Sequence, residues 1–156
     1  MDKFNIKAAA GKKATTAFVY WCVLSKDDEG GFVVTFPDFP EAVTQGEDLA
    51  GVVLAAEDCL DEAIAWRIKA RESIPLPSKK PRGRAVPVTP GSLMQAKATL
   101  WTLMNAHEVS PAQLAKLMGR PRQDVTRILS PRHGTNHRHL DEAFRALNHR
   151  LVLQAA

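Results

Sequence analysis

The segment that most restricts the fold is GFVVTFPDFPEAVTQG, residues 31–46. In its first part every second residue is large and apolar: Phe32, Val34 and Phe36. This two-residue period is typical of a β-strand with at least one buried face. Pro37 has no backbone donor, so the strand must end there or lie at a sheet edge. The chain is therefore expected to contain a sheet, with the flanking segments as its partners.

Asp38 and Phe39 lie between two prolines, Pro37 and Pro40. Each proline fixes its own φ and restrains the residue before it, which predicts a stiff extended turn. We expect the Phe39 ring to be exposed there. Two interpretations stay open, a structural corner and a rigid acidic and aromatic binding surface; the corner is the more common outcome.

The segments around this strand predict a small α+β unit. Residues 17–24 are rich in β-branched and aromatic side chains and form a first strand, which the acidic turn at 25–30 closes into a hairpin. A short third strand is expected at 42–45. Asp48 then caps a helix that runs to about residue 72.

This helix is predicted to be amphipathic, with an acidic outer side. Its inward stripe is Leu49, Val52, Val53, Ala56, Leu60, Ala63, Ile64 and Ile68, and its outward carboxylates are Glu57, Asp58, Asp61 and Glu62. Residues 74–78 contain two prolines and must be extended. Residues 84–88 are either a fourth strand or the start of a linker, because Pro87 permits only an edge position. The order β-β-β-α-(β) places one helix on one sheet.

The formal charges are segregated along the chain. Residues 1–73 carry 8 Lys or Arg and 13 Asp or Glu, a net charge of −5, whereas residues 74–156 carry 13 and 4, a net charge of +9, and all five histidines. Such asymmetry indicates two domains with different partners, the basic one suited to a polyanion. A basic surface that only aids solubility is the alternative.

The composition argues against several classes of protein. The 45 % hydrophobic and 24 % charged content is that of a globular protein, and no apolar run of about 18 residues could span a membrane. Residues 1–16 lack the apolar core of a secretory signal and are interpreted as a loose arm. Cys22 and Cys59 are expected as reduced thiols in a cytoplasmic core. No cofactor or metal is expected.

The basic half begins with a linker at 79–84 and continues as predicted helices. Ser92 is expected to cap a helix to about residue 107, with an apolar stripe of Leu93, Ala96, Leu100, Leu103 and Met104. A closing helix at 140–147 points Leu140, Phe144 and Leu147 inward, and residues 151–153 are a candidate strand for pairing two subunits. His133, His137 and His139 lack the spacing of a zinc site.

Between these elements, residues 110–130 predict two short helices joined by a turn. Ser110 and Gln113 form a capping box around Pro111, and Gly119 lies where the turn requires a positive φ. The expected buried side chains are Leu114, Ala115 and Met118 on the first helix and Val125, Ile128 and Leu129 on the second.

The acidic half resembles the HicB family of antitoxins. The resemblance rests on Gly31-Phe32, Phe36-Pro37-Asp38-Phe39-Pro40-Glu41-Ala42, Thr44-Gln45-Gly46, the acidic helix and Ile74-Pro75-Leu76-Pro77-Ser78, and it covers about residues 17–90. It implies a truncated RNase H-like module that binds and occludes HicA, a small ribonuclease that degrades mRNA. Gly51 departs from the family, which often has a glutamate there, so the first helical turn lacks a capping box.

The spacing of residues 110–130 resembles the helix-turn-helix of the Cro and phage-repressor class, whose second helix enters the DNA major groove. Arg120 departs from the class, because that position is commonly apolar. A helical hairpin that only packs is the alternative. The resemblance assigns base contacts to exposed side chains of the second helix: Arg122, Gln123, Thr126 and Arg127. It assigns phosphate contacts to Gln113, Lys116, Arg132, His133 and Asn136.

Catalysis of the RNase H type is an unfavoured hypothesis. Such nucleases use several carboxylates to hold two metal ions, the first normally on the first strand. Residues 17–24 contain no Asp or Glu, and Asp38 is taken as the only acid of the strand-bearing core after the hairpin turn. We therefore expect no enzymatic activity.

Together these features predict an α+β fold: a partial RNase H-like β-β-β-α-β domain followed by an all-α helix-turn-helix domain. The expected parts are an arm at 1–16, a toxin-binding domain at 17–78, a linker at 79–91 and a DNA-binding domain at 92–156. The expected function is neutralisation of a HicA-type toxin and repression of the operon, by at least a dimer assembled through the C-terminal half. The alternative is a stand-alone repressor with a ligand-sensing or dimerising N-terminal domain. Toxin contacts are placed at Tyr20, Phe36, Asp38, Phe39 and Glu41, of which the aromatic members are also core candidates.

Overall fold

The computed structural model describes residues 18–152; the predicted N-terminal arm and Leu153 lie outside this range. The chain divides into two compact units, whose described parts are residues 18–95 and 96–152. No helix within the described range is long and apolar enough to cross a membrane.

The first unit contains a four-stranded antiparallel sheet with the order β3-β2-β1-β4. Its strands are β1 (Tyr20–Lys26), β2 (Phe32–Phe36), β3 (Phe39–Gly46) and β4 (Ala85–Val88). In β4, Val86 lies opposite Cys22 of β1. Residues 85–88 are therefore a fourth strand, and Pro87 is tolerated because β4 lies at an edge.

The corner between β2 and β3 corrects the sequence interpretation. β2 ends at Phe36, before Pro37, as predicted, but β3 begins at Phe39 rather than at residue 42, and it includes Glu41. Phe36 pairs with Phe39 across a local irregularity of the ladder. Phe39 is 0 % exposed, so the expectation of an exposed ring was wrong. The prolines bring Phe39 back onto the core face instead of displaying it.

Helix α1 (Leu49–Ala70) packs against the sheet and begins as predicted at the Asp48 cap, whose carboxylate accepts from the Gly51 N–H at 2.7 Å. A Cβ on Gly46 would lie 2.8 Å from the Val52 side chain, so this close approach to the helix favours glycine. The inward face is Val52, Ala56, Leu60, Ala63, Ile64, Ala65 and Ile68. Leu49 and Val53, predicted to be inward, are exposed.

Helix α2 (Ser92–Ala106) begins one residue earlier than predicted. The Gly91 carbonyl accepts the first helical hydrogen bond from the Gln95 N–H at 2.9 Å, so Gly91, not Ser92, has the cap position. Of the predicted stripe, Leu93 is exposed and Leu103 is half-buried. The apolar residues buried on α2 are Met94, Ala96, Ala98, Leu100, Trp101 and Met104.

Helices α3 (Pro111–Met118) and α4 (Arg122–Leu129) follow the predicted pattern closely. The capping box is present, with Ser110 and Gln113 bonded reciprocally, and Gly119 has φ +62° as predicted. The buried residues are Leu114 and Ala115 on α3 and Val125, Ile128 and Leu129 on α4. Met118 is half-buried.

Helix α5 (His137–Ala146) is capped by Asn136 and buries Leu140, Ala143 and Phe144; Leu147, which follows it, is also buried. Residues 151 and 152 have no regular structure, so the candidate strand is absent from its described part. A sheet with one packed helix, followed by further helices, confirms the α+β class.

Candidate functional site

The exposed face of α4 brings together the four side chains predicted for base contacts. Arg122, Gln123, Thr126 and Arg127 are all exposed, while Val125, Ile128 and Leu129 hold the opposite face in the core. The Thr126 hydroxyl donates to the Arg122 carbonyl at 3.0 Å. This face therefore presents two guanidinium groups and one amide from a single short helix, which are donors suited to guanine and adenine edges.

Lys97 on α2 supports the end of α4 from inside the core. Its side chain is buried, and its ammonium donates to the carbonyls of Ser130 and, at 2.6 Å, His133. Burial lowers the pKa of Lys97. The two bonds hold the residue that ends α4 and the loop that follows. Sequence reasoning missed Lys97, although its position beside Ala96 and three residues before Leu100 placed it on the apolar stripe.

Arg120, the position that departs from the helix-turn-helix class, has a defined set of partners. Its guanidinium donates to the Glu142 carboxylate of α5 at 2.6 and 3.0 Å and lies 3.6 Å from Asp124 of α4. The bonds from Arg120 lower the pKa of Glu142. The turn between α3 and α4 is thus tied to α5 by charged hydrogen bonds.

The five residues predicted for phosphate contact do not share one helix, unlike the four residues predicted for base contact, which all lie on α4. Lys116 is exposed on α3, whereas the Gln113 side-chain oxygen accepts from the Ser110 N–H at 2.7 Å in the capping box. Asn136 caps α5 through the Arg138 N–H at 2.9 Å. Arg132, His133 and Asn136 are exposed. A shallow cleft beside α4 is lined by Asp124, Arg127, Ile128, His133, Gly134, Thr135, Asn136 and His139.

In the first unit, the three aromatic residues predicted as toxin contacts lie in the core. Tyr20, Phe36 and Phe39 are buried, and the Tyr20 and Phe39 rings meet edge to face with centroids 4.9 Å apart. The Tyr20 hydroxyl donates to the Pro75 carbonyl at 2.8 Å. Burial, and then the nearby Asp38 carboxylate, raise the pKa of Tyr20. These rings stabilise the sheet and do not form an outer surface.

The two acidic members of the same set are engaged within the unit. Asp38 accepts from the backbone N–H and the hydroxyl of Ser78 at 3.1 and 3.2 Å. Glu41 forms a two-pronged pair with Arg67 at 2.7 and 3.1 Å, and this hydrogen bonding lowers the pKa of Glu41. The Arg67 guanidinium also lies 5.2 Å from the Phe39 ring centroid. These contacts favour the interpretation as a structural corner.

A more accessible surface lies on the outer side of α1. Leu54 and Trp66 are 65 % and 53 % exposed, and Asp58 and Glu62 lie between them at successive four-residue intervals. Residues four apart are neighbours on a helix surface, so these four side chains form a line that winds about 120° around α1, here called the α1 ridge. Sequence reasoning predicted the acids but missed Leu54 and Trp66, which lie outside the inward stripe.

The described residues contain no group of three or more His, Cys, Asp or Glu side chains that could hold a metal ion. In the strands, Glu41 lies on β3, so Asp38 is not the only acid of this region after the hairpin turn. Cys22 is buried and Cys59 half-buried, both as free thiols, and burial raises the pKa of each.

Comparison with known proteins gives a consistent result. Residues 19–99 match the family model described as HicB-like antitoxin of bacterial toxin–antitoxin systems. Antitoxin HicB of Escherichia coli (strain K12) is 34 % identical over 134 residues, which cover 86 % of this chain and 96 % of the relative. Antitoxin HicB 2 of Photorhabdus laumondii subsp. laumondii is 38 % identical over 128 residues, 82 % of this chain and 90 % of the relative. The chain therefore belongs to the HicB-like antitoxin family of bacterial toxin–antitoxin systems.

Proposed function

We propose that this antitoxin binds and neutralises a HicA-type mRNA-degrading toxin and represses its own operon by binding operator DNA. Toxin binding is assigned to a domain at 17–78, DNA binding to a domain at 92–156, and residues 79–91 to the connection between them. In this function the protein acts by binding and is not an enzyme. Both proposed partners, a toxin that attacks mRNA and the operator DNA, imply a cytoplasmic location.

The observation that carries the DNA-binding part is the exposed face of α4. Four neighbouring polar side chains point outward from one helix whose opposite face is fixed in the core. We assign base contacts to Arg122, Gln123, Thr126 and Arg127. Phosphate contacts are assigned to Lys116, Arg132 and His133, with smaller contributions from Gln113 and Asn136, whose side chains also serve as caps.

The toxin-binding part is supported by charge as well as by family. A ribonuclease must attract a polyanion, so its RNA-binding surface is positive. An inhibitor whose surface is negative is steered towards that surface and gains association rate. Residues 1–73 carry a net charge of −5, which suits this role, and residues 74–156 carry +9, which suits DNA.

Repressors of the helix-turn-helix class usually read two half-sites as dimers. We propose a homodimer or higher oligomer assembled through the C-terminal half. Sedimentation of the full chain with and without operator DNA measures this state. A monomer that binds a single half-site would contradict it.

The decisive experiment separates the two activities within one chain. The double variant Arg122→Ala/Arg127→Ala should bind the upstream promoter fragment at least about 30-fold more weakly, because each base-reading arginine contributes about 1–3 kcal/mol. Neutralisation of the co-expressed toxin should remain. The matched control is Arg145→Ala, an exposed arginine of α5 paired with Asp141, which should retain both activities.

Three outcomes would change the proposal. Equal loss of DNA binding and neutralisation in the double variant would contradict the separation of roles. If the wild-type chain represses but neither binds nor silences the toxin, it is a stand-alone repressor. Absence of both activities in the wild type would overturn the whole proposal.

A further inference from the structure

We infer that the α1 ridge is the surface on which the toxin docks; this inference rests on the toxin-binding function proposed above. It replaces the corner at Pro37–Pro40 as the centre of the interface, because Asp38 and Glu41 there are already bonded to Ser78 and Arg67. The α1 ridge runs from residue 54 to residue 66, about 18 Å along the helix axis, which is enough for a partner element to lie against it.

The two ends of the ridge are apolar and accessible. Leu54 and Trp66 are the most exposed large apolar side chains of α1, at 65 % and 53 %. Neither belongs to the buried face of the helix, which is formed by residues such as Leu60 and Ile64. Tryptophan is among the residues that contribute most to binding energy at protein interfaces.

The middle of the ridge is strongly acidic. Asp58 and Glu62 belong to it, Glu57 flanks it, and the sequence has no Lys or Arg from residue 49 to residue 66. The pKa of the adjacent Asp61 is raised, mainly by burial and in addition by repulsion from the Asp58, Glu57 and Glu62 carboxylates. The same face of a second copy of the chain would therefore be repelled from the ridge.

A basic protein with an apolar contact of its own is the occupant that fits. The RNA-binding surface of a ribonuclease supplies the positive charge, because RNA is a polyanion. Leu54 and Trp66 would then provide the desolvated contacts, and the acids would set the orientation and the rate of encounter. On this arrangement the ridge covers the toxin surface that otherwise holds RNA.

The test uses the full chain and a purified HicA-type toxin, with affinity measured by titration calorimetry. Leu54→Ala/Trp66→Ala should raise the Kd at least about 30-fold, the effect expected for central interface residues. Leu76→Ala is the matched control, because Leu76 is 68 % exposed in the first unit but lies outside α1, and it should bind like the wild type. Unchanged far-UV circular dichroism and urea unfolding midpoints of all variants show that the first unit remains folded.

Charge reversal on the ridge provides a second readout, the association rate, which the Leu54→Ala/Trp66→Ala variant should leave unchanged. Glu57→Lys/Asp58→Lys should lower the association rate about tenfold at low salt and flatten its dependence on ionic strength. The control, Asp28→Lys/Glu29→Lys, reverses an equivalent adjacent pair in the β1–β2 turn and should have a smaller effect.

Two failures are distinguishable. If the wild type binds the toxin and both ridge variants bind equally well, or if Leu76→Ala weakens binding as much as the ridge variants do, the ridge is not the docking surface and the proposed function stands. If the wild type does not bind the toxin, the proposed function fails and the inference fails with it.

Discussion

Helices α1 and α4 carry the two candidate surfaces, yet they are held in place in different ways. α1 has 22 residues, the Asp48 cap at its start and the left-handed Arg71 at its end. α4 has eight residues and begins at Pro121 without a side-chain cap. Isolated helices as short as α4 are not stable in water. The outward face of α4 therefore depends on the packing of its buried side and on the bonds of Lys97 and Arg120, whereas α1 is capped at both ends in addition to packing against the sheet.

The largest expected effect tests whether the two surfaces fail independently. Leu60→Ala on α1 and Leu114→Ala on α3 each remove a fully buried side chain, which costs about 2–5 kcal/mol of unfolding free energy. Leu60→Ala should impair toxin binding, and Leu114→Ala should impair operator binding. Denaturant unfolding and both binding assays measure this. Loss of both activities in either variant would show that the two units depend on each other.

The next effect tests the dependence of α4 on Lys97. Lys97→Met removes two charged hydrogen bonds, at a cost of about 1–3 kcal/mol, and leaves the Ser130 carbonyl with only the His133 N–H at 3.3 Å and the His133 carbonyl with only the Thr135 hydroxyl at 3.2 Å. Operator affinity should fall, although Lys97 is buried and cannot touch DNA. Lys69→Met, an exposed lysine on α1, is the control. Normal operator binding by Lys97→Met would show that the α4 surface does not depend on Lys97.

A smaller effect compares the caps of the two units. Asp48→Ala and Ser110→Ala should each cost about 0.5–2 kcal/mol. Ser110→Ala should have the larger effect, because α3 has only eight residues and depends more on its cap than the 22-residue α1 does. Thermal unfolding of both variants measures the difference. A larger loss for Asp48→Ala would contradict the view that α1 is the more self-supporting helix.

The smallest effect is a difference between the two units in how their folding stability depends on pH. Burial, and then the neighbouring His107, lower the pKa of His149 from its ordinary 6.5. The unfolded chain therefore takes up a proton before the folded chain does, and the stabilising contribution of neutral His149 is lost as pH falls below about 6.5. His149→Gln should reduce this loss in urea unfolding between pH 7 and pH 5.5. An unchanged profile would exclude His149 as the cause.

In the first unit, Glu41 makes the stability depend on pH in a more acidic range than His149 does. The Arg67 hydrogen bond lowers the pKa of Glu41 from its ordinary 4.5, so the stability from this pair is present above about pH 4.5 and is lost as pH falls through the lowered value. Glu41→Gln should remove that part of the acid sensitivity and leave the loss near pH 6 intact.

Local chemistry made much of the fold predictable. The period of β2, the Asp48 cap, the Ser110 capping box and the positive φ of Gly119 all depend on residues close together in the sequence, and the structure confirms them. Residues 84–88 were left open, because pairing with β1 joins segments about 60 residues apart and only tertiary structure decides it.

The surfaces were harder to predict than the elements. Phe39 looked exposed because it lies between prolines, but those prolines turn it onto the core face. Leu49 and Val53 fit the inward stripe by period, yet the sheet does not cover them. Leu54, Trp66 and Lys97 contradict the usual burial of their residue types, so a pattern based on polarity assigns them to the wrong environment.

The position of β4 in the sheet determines what happens to the first unit when the chain is cleaved between α1 and β4. β4 follows the basic residues 79–84, yet it forms the outer strand beside β1, with Tyr20 opposite Val88. A protease cutting among those basic residues would leave β4 attached to the sheet only by noncovalent contacts, so that β4 could leave it. β1 would then present an unpaired edge, which invites association with other chains. Cleavage there would weaken the sheet of the first unit, in addition to cutting the connection to the helices that follow.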